Sequence, residues 1–130
     1  MKNPTIVVPL GKGSKWENNE LRYMLRSLKQ HCQFDFEVVV FCTEKPKWLN
    51  AKVEIVERTY PEKVKKYYGQ KLHYENYYDT IHKLQACIAS DNVSDEFFYV
   101  YDDILLIEDL YLPDMKKVIA GSHYDNKPQF

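Results

Sequence analysis

Three short apolar runs constrain the fold of this chain more strongly than any other feature. They are Thr5–Leu10 and residues 36–42 and 97–101. None of them alternates apolar and polar residues, as a strand with one solvated face would do. Each run is therefore predicted to form a strand covered on both faces, the pattern of a parallel sheet between helices. The short β-branched segment 53–57 is predicted to form a further, more peripheral strand.

Two segments between the predicted strands have helical periodicity. The first begins after Asn18 or Asn19, either of which is a suitable N-cap, and its apolar positions are Leu21, Met24, Leu25, Leu28 and Cys32. The second has the apolar positions Tyr74, Tyr77, Tyr78, Ile81, Leu84 and Ile88, and its polar face carries Asp79, His82, Lys83 and Gln85. A short third helix is predicted around residues 114–120, before a polar tail.

The predicted elements follow the order strand, helix, strand, strand, helix, strand. This order predicts an α/β fold with a mainly parallel sheet, flanking helices and right-handed crossovers. A length of 130 residues suits a single domain, residues 1–130. In such folds, ligands bind outside the carboxyl ends of the strands, so functional residues are expected in the segments that follow the strands.

Composition argues against several classes of function. A net charge of -1 gives no electrostatic basis for non-specific binding to nucleic acid. The amino terminus has one short apolar run, which is too short for a signal peptide or a membrane span. The three cysteines lie far apart in apolar-periodic segments, which is typical of reduced thiols in a cytoplasmic protein.

Asp102 and Asp103 form the strongest local signal for chemistry. They directly follow the apolar run 97–101, and two adjacent carboxylates at the mouth of a buried strand are costly unless a positive charge meets them. Mg²⁺ and Mn²⁺ prefer such hard oxygen ligands and bridge them to the phosphates of a nucleotide. The pair is therefore predicted to bind one of these metals, and the alternative is a solvated acidic turn.

Phosphate-binding candidates lie on the loop after the first strand and on the two helices. This loop leads into the first helix, so its backbone amides, with Pro9, Gly11 and Lys12, are predicted to border a nucleotide. A plain turn is the alternative, because the loop lacks the third glycine of a dinucleotide fingerprint and is not a P-loop. Arg22, early in the first helix, and Lys83, on the second, are predicted to approach a diphosphate.

Three sequence blocks occur together in a suggestive order. They are the Asn-Glu-Leu-Arg-Tyr start of the first helix, Pro-Lys-Trp-Leu at residues 46–49, and Tyr-Val-Tyr-Asp-Asp at residues 99–103. Together they resemble the Stealth family of capsular-polysaccharide sugar-phosphate transferases and, more broadly, the GT-A class of glycosyltransferases with a Rossmann-like sheet. The resemblance implies that Asp102 and Asp103 are the metal–diphosphate ligands and that Arg22 borders the nucleotide. The chain departs from the Stealth pattern at residues 8–11, where Val-Pro-Leu-Gly replaces Trp-Val-Asp-Gly and an aspartate is lost.

The resemblance implies a transferase that depends on Mn²⁺ or Mg²⁺. Such an enzyme moves a sugar or sugar phosphate from a nucleoside-diphosphate sugar to a glycan or lipid-linked acceptor, in surface polysaccharide synthesis. Two alternatives remain open: a non-catalytic nucleotide-sugar-binding module or fragment, and a nucleotidyltransferase. Because about 27 residues follow Asp103, the part of a GT-A fold that builds the acceptor pocket is expected to be short or absent.

Overall fold

The computed structural model describes residues 3–12, 14–57 and 72–115, and for residues 72–76 it describes the backbone alone. Four strands and three helices occur in these ranges: β1 (Thr5–Leu10), α1 (Asn19–His31), β2 (Glu37–Cys42), β3 (Lys52–Ile55), α2 (Leu72–Ile88), β4 (Phe97–Tyr99) and α3 (Leu112–Met115). The predicted strands and long helices therefore occur in the predicted order. The third helix begins earlier than predicted, and residues 116–120 of that prediction lie outside the described residues.

The four strands form one parallel sheet in the order β3-β2-β1-β4. β1 and β2 pair along their whole length. β4 pairs with the other edge of β1, with Thr5 opposite Phe97 and Val7 opposite Tyr99. β3 lies at the edge of the sheet, as predicted for the segment around Val53. The predicted α/β class and the parallel sheet are thus confirmed.

Helices cover both faces of the central strand, which explains why its sequence does not alternate. All six residues of β1 are buried. On one face, its side chains pack against the apolar stripe of α1; this cluster contains Ile6, Val8, Leu10, Leu21, Met24 and Leu28. On the other face, Val7 packs with Val39, Phe41 and Cys87, which lies on α2. Apolar residues are required on both sides because neither side of β1 meets water.

The turn that leads into α1 is ordered by Ser14. The Ser14 hydroxyl accepts hydrogen bonds from the backbone N–H groups of Trp16, at 3.2 Å, and Asn18, at 3.0 Å. Asn18 occupies the N-cap position with φ 60, in the left-handed region, and its side chain makes no capping hydrogen bond. The predicted start of the helix is confirmed, with Asn18 as the N-cap residue, although its side chain is not what caps the helix.

The buried face of α2 differs from the predicted one. Its most buried residues in the described part are Asp79, Lys83 and Cys87, which lie four apart on one face. Residues of the predicted apolar stripe are exposed instead, and Tyr77, Ile81 and Ile88 are each more than half exposed. The reversal is possible because Lys83 neutralises Asp79, so the face that packs on the sheet carries no net charge.

A helix that crosses a lipid bilayer must be both long and apolar. None of the helices within residues 3–12, 14–57 and 72–115 has both the length and the apolar character that a membrane span needs.

Candidate functional site

The strand order brings two predicted site segments to one edge of the sheet. The chain passes from β1 to β2 and β3 on one side, and β4 then pairs on the other side of β1. A reversal of this kind opens a crevice at the carboxyl ends of the parallel strands. Gly11 and Lys12 follow β1, and Asp102 and Asp103 follow β4, so all four residues lie at this edge.

Asp102 is the more enclosed of the two predicted metal ligands. It is partly buried, whereas Asp103 is exposed. Burial raises the pKa of Asp102, a hydrogen bond from its own backbone amide opposes the rise, and the nearby carboxylates of Asp103 and Glu20 raise it further. The charged groups that shift the pKa of Asp102 are therefore both negative, and neither of them is a cation that would stabilise its carboxylate.

Glu20, in the first turn of α1, was not predicted as a site residue, although its charge raises the pKa of Asp102. Its carboxylate is held by the Ser14 hydroxyl, which lies 2.8 Å and 3.0 Å from its two oxygens. Ser14 thus links the loop after β1 to the start of α1 and fixes Glu20 near the carboxyl end of β4. The sequence offers no signal for this contact, because it depends on the path of the turn between Ser14 and α1.

A cleft of about 460 Å³ opens beside the loop after β1. It contains the predicted residues Gly11 and Lys12, and its other lining residues are Glu17, Asn18, Glu44, Lys45, Pro46, Lys47 and Trp48. No described atom lies within 4 Å of a Cβ placed on Gly11, so the backbone there is accessible. Lys45 and Lys47 add two cations that the sequence analysis did not select. Asp102 and Asp103 do not line this cleft.

Pro9 and Arg22 are placed differently from the predicted nucleotide contacts. Pro9 lies inside β1, buried and opposite Phe41, so its side chain belongs to the sheet. The Arg22 guanidinium stacks on the Trp48 ring, 4.5 Å from its centroid. Trp48 in turn donates its indole N–H to the Glu17 carbonyl at 3.0 Å. Trp48 lines the cleft and Arg22 does not, so Arg22 touches a lining residue without lining the cleft itself. The contact joins the Asn-Glu-Leu-Arg-Tyr block to the Pro-Lys-Trp-Leu block.

Lys83 lies in the interior rather than on a polar surface. Its ammonium contacts Asp79 Oδ2 at 2.5 Å, and the two residues are 3% and 6% exposed. The predicted location of Lys83 on an exposed polar face of the helix is therefore wrong. A lysine that already neutralises a buried aspartate has little charge left for a phosphate.

The buried region around Asp79 and Tyr99 also contains polar atoms that make no hydrogen bond. In the described structure, four buried side-chain atoms make no hydrogen bond: Thr43 Oγ1, Asp79 Oδ1, His82 Nδ1 and Tyr99 Oη. Burial raises the pKa of Tyr99 to about 12, with smaller contributions from Tyr101, Cys87 and Asp79. Because an unpaired buried polar atom costs about 1–3 kcal/mol, this region is a weak point of the core.

The described carboxylates do not form a complete metal centre on their own. Within the part of the chain that the structure describes, no group of three His, Cys, Asp or Glu side chains is close enough to enclose a metal ion. Asp102 and Asp103 are thus a two-carboxylate set, which suits a metal whose remaining ligands are phosphate and water oxygens.

Comparisons with known proteins add no relative. No protein-family model matches the sequence, and no significant similarity to a curated protein or a solved structure was found.

Proposed function

We propose that the chain is the donor-binding domain of a GT-A-type, Rossmann-like transferase that uses a nucleoside-diphosphate sugar. The observation that carries the proposal is the pairing of β4 beside β1. Through this pairing, the carboxylates after β4 and the lysine-lined cleft after β1 share one edge of a parallel sheet. A nucleotide sugar has a base, a diphosphate and a sugar in line, so it needs a site that is extended in this way.

The carboxylate pair fits a divalent metal. Asp102 and Asp103 offer hard oxygens, and the pKa of Asp102 is raised by burial and by nearby carboxylates, an environment that a cation would relieve. Mn²⁺ or Mg²⁺ would be held by these two residues together with donor phosphates. Such a metal supplies Lewis-acid stabilisation of the diphosphate leaving group. Glu20 contributes negative charge beside the pair.

The cleft fits the phosphate part of the donor. Lys12, Lys45 and Lys47 line it, opposed by Glu17 and Glu44. Lysine ammonium groups bind phosphate as mobile point charges and leave the identity of the base undetermined. The accessible backbone at Gly11 lets a ligand approach the strand end closely.

In glycosyl transfer, the bond between the anomeric carbon and the diphosphate breaks, a bond to an acceptor hydroxyl forms, and the nucleoside diphosphate leaves. In sugar-phosphate transfer, the anhydride bond within the diphosphate breaks instead, the acceptor hydroxyl bonds to the sugar phosphate, and the nucleoside monophosphate leaves. The acceptor is a glycan or a lipid-linked glycan, and the process is surface polysaccharide synthesis in the cytoplasm. This chain's own residues would hold the donor. Lys12, Lys45 and Lys47 would orient its phosphates, and Asp102 and Asp103 would hold the metal that offsets the charge of the leaving group.

The first test is thermal denaturation of the purified chain with UDP, GDP, ADP and CDP, each with and without Mn²⁺. A ligand at 100 times its Kd stabilises the folded state by about 2.7 kcal/mol, which is several degrees in Tm. We expect a Mn²⁺-dependent increase in Tm with one diphosphate, and loss of that increase in Asp102→Asn/Asp103→Asn. Asp95→Asn, at the opposite end of β4, is the matched control and should keep it. No increase with any nucleotide would refute the donor site.

A second measurement separates the enzymatic alternatives. From a nucleoside-diphosphate sugar, glycosyl transfer releases the nucleoside diphosphate and sugar-phosphate transfer releases the nucleoside monophosphate. Nucleotidyl transfer from a nucleoside triphosphate releases pyrophosphate. If the chain bound a nucleotide sugar but released none of these products, the remaining interpretation would be a non-catalytic nucleotide-sugar-binding module.

A further inference from the structure

A second, shallower groove runs along the side of α1. Its volume is about 300 Å³, and its lining residues are Arg22, Leu25, Arg26, Lys29, Trp48, Leu49, Asn50 and Ala51. Its floor is apolar, and its lining includes three cations and no acidic residue. Lys12, Asp102 and Asp103 do not line it, and Trp48 is the one residue that it shares with the cleft of the proposed donor site.

The cations of this groove form one regular row. Arg22, Arg26 and Lys29 are spaced four and three residues apart on α1, so they share a face and span about 10 Å along the helix axis. In the described part of the chain, neither Arg26 nor Lys29 forms a salt bridge. Arg22 is already ordered by stacking on Trp48. The row is therefore a partly preorganised positive surface, and residues 3–12, 14–57 and 72–115 supply no salt-bridge partner for Arg26 or Lys29.

The floor of the groove is recessed below these cations. Leu49 is 4% exposed, and Leu25 and Ala51 are partly buried. A bilayer surface is bound by apolar side chains that project from the protein, and phosphate backbones are bound without an apolar floor. A recessed apolar floor with a charged edge is instead the arrangement that receives the apolar side chains of a peptide helix.

We propose that this groove binds an acidic amphipathic helix of a protein partner. Apolar side chains of that helix would occupy the floor at Leu25 and Leu49. Its carboxylates, at positions i, i+4 and i+7, would pair with Arg22, Arg26 and Lys29. The charge complementarity gives the interaction its orientation and its dependence on salt.

The test uses a fluorescein-labelled synthetic helix with glutamates at positions i, i+4 and i+7 and leucines on the adjoining face. Fluorescence anisotropy with the full chain should show binding that weakens as NaCl is raised. Arg26→Glu/Lys29→Glu should weaken it at least tenfold, and a peptide with lysines in place of the glutamates should bind this variant better than it binds the wild-type chain. Circular dichroism verifies that the variant is folded.

Lys12→Glu/Lys45→Glu, with the same change of net charge in the other cleft, is the matched control and should keep the affinity for the peptide. Equal weakening by both variants would show a non-specific charge effect and overturn the proposal. Absence of peptide binding would overturn it as well. A third outcome would also overturn the proposal: the wild-type chain sediments with phosphatidylserine vesicles and Arg26→Glu/Lys29→Glu does not. The groove would then be a membrane contact.

Discussion

The Lys83 ammonium lies 2.5 Å from Asp79 Oδ2, one turn earlier on α2, and the two side chains are 3% and 8% exposed. The pair faces the sheet, where a lone charge of either sign would be strongly unfavourable. Each residue therefore makes the burial of the other tolerable, and the pair explains how a polar helix face packs on the core.

Lys83→Met is expected to lower the free energy of unfolding by about 3–5 kcal/mol, because it leaves the Asp79 carboxylate buried without its cation. Asp79→Leu/Lys83→Met should recover most of this loss. Urea denaturation followed by circular dichroism measures both. Lys29→Met, at an exposed position, is the control and should change stability by less than about 0.5 kcal/mol. If Lys83→Met unfolded at the same urea concentration as the wild type, the ion pair would not be needed to bury Asp79.

Asp102 makes the ligand-free protein less stable at neutral pH. Its folded pKa is raised, so the folded state holds the Asp102 proton more tightly than the unfolded state does. Stability is therefore lost as pH rises from the unfolded value, about 3.9, through the folded value. We expect Asp102→Asn to raise the free energy of unfolding at pH 7 by about 0.2–1 kcal/mol, the range for partly exposed charges. The gain should disappear below the unfolded pKa.

Thermal denaturation of Asp102→Asn and the wild type between pH 3 and pH 7 checks this expectation. Asp103→Asn is the companion variant. Its gain in the free energy of unfolding should be smaller than that of Asp102→Asn, because it removes only one of the two charges that raise the pKa of Asp102. A loss of stability in Asp102→Asn at pH 7, without metal or nucleotide, would contradict the raised pKa.

Trp48 joins the loop after β2 to α1 through two separable contacts. Trp48→Phe keeps a ring for Arg22 but removes the N–H that Glu17 O accepts, so a loss of about 0.5–1.5 kcal/mol is expected. Trp48→Ala removes the cation–π contact as well and should cost more. Trp16→Phe, at a position 65% exposed, is the control. Urea denaturation measures the three variants, and Trp16→Phe should match the wild type. Equal stability of Trp48→Phe and the wild type would show that the indole N–H does not stabilise the fold.

The cysteines should differ in reactivity. Cys42 and Cys87 are each 1% exposed, and burial raises the pKa of Cys87 to about 11. Because the thiolate is the reactive form, these two thiols should react slowly with Ellman's reagent at pH 8 until urea unfolds the chain. Partly exposed Cys32 should react first, and Cys32→Ser should abolish the early phase. Early reaction of two or more thiols would mean that the core around Cys42 or Cys87 opens.

Much of the fold could be predicted from sequence, because the strands of this sheet are covered on both faces. Thr5–Leu10 was predicted with its observed bounds, since an uninterrupted apolar run allows few other structures. The buried face of α2 could not be predicted. Periodicity counts Asp79 and Lys83 as two polar residues, whereas in the structure they form one neutral pair.

The candidate site shows the same division. Asp102 and Asp103 could be predicted as site residues because they follow an apolar run that is recognisable in the sequence as a buried strand. The contribution of Glu20 could not be selected, because it depends on the turn that Ser14 orders before α1. Arg22 was predicted to approach a diphosphate, but its stacking on Trp48 could not be predicted, because the two residues are far apart in the chain.

The pairing of β1 with β4 has a consequence for how the protein is made. Thr5 and Ser94 exchange hydrogen bonds across a separation of 89 residues. Closing so long a stretch of chain is slow compared with forming the β1–α1–β2 unit, which is complete by Cys42. A chain emerging from the ribosome therefore carries one open edge of β1 until β4 has been synthesised. Asp102 therefore takes its place at the carboxyl end of the sheet only after β4 has paired with β1, so the candidate site is assembled late in folding.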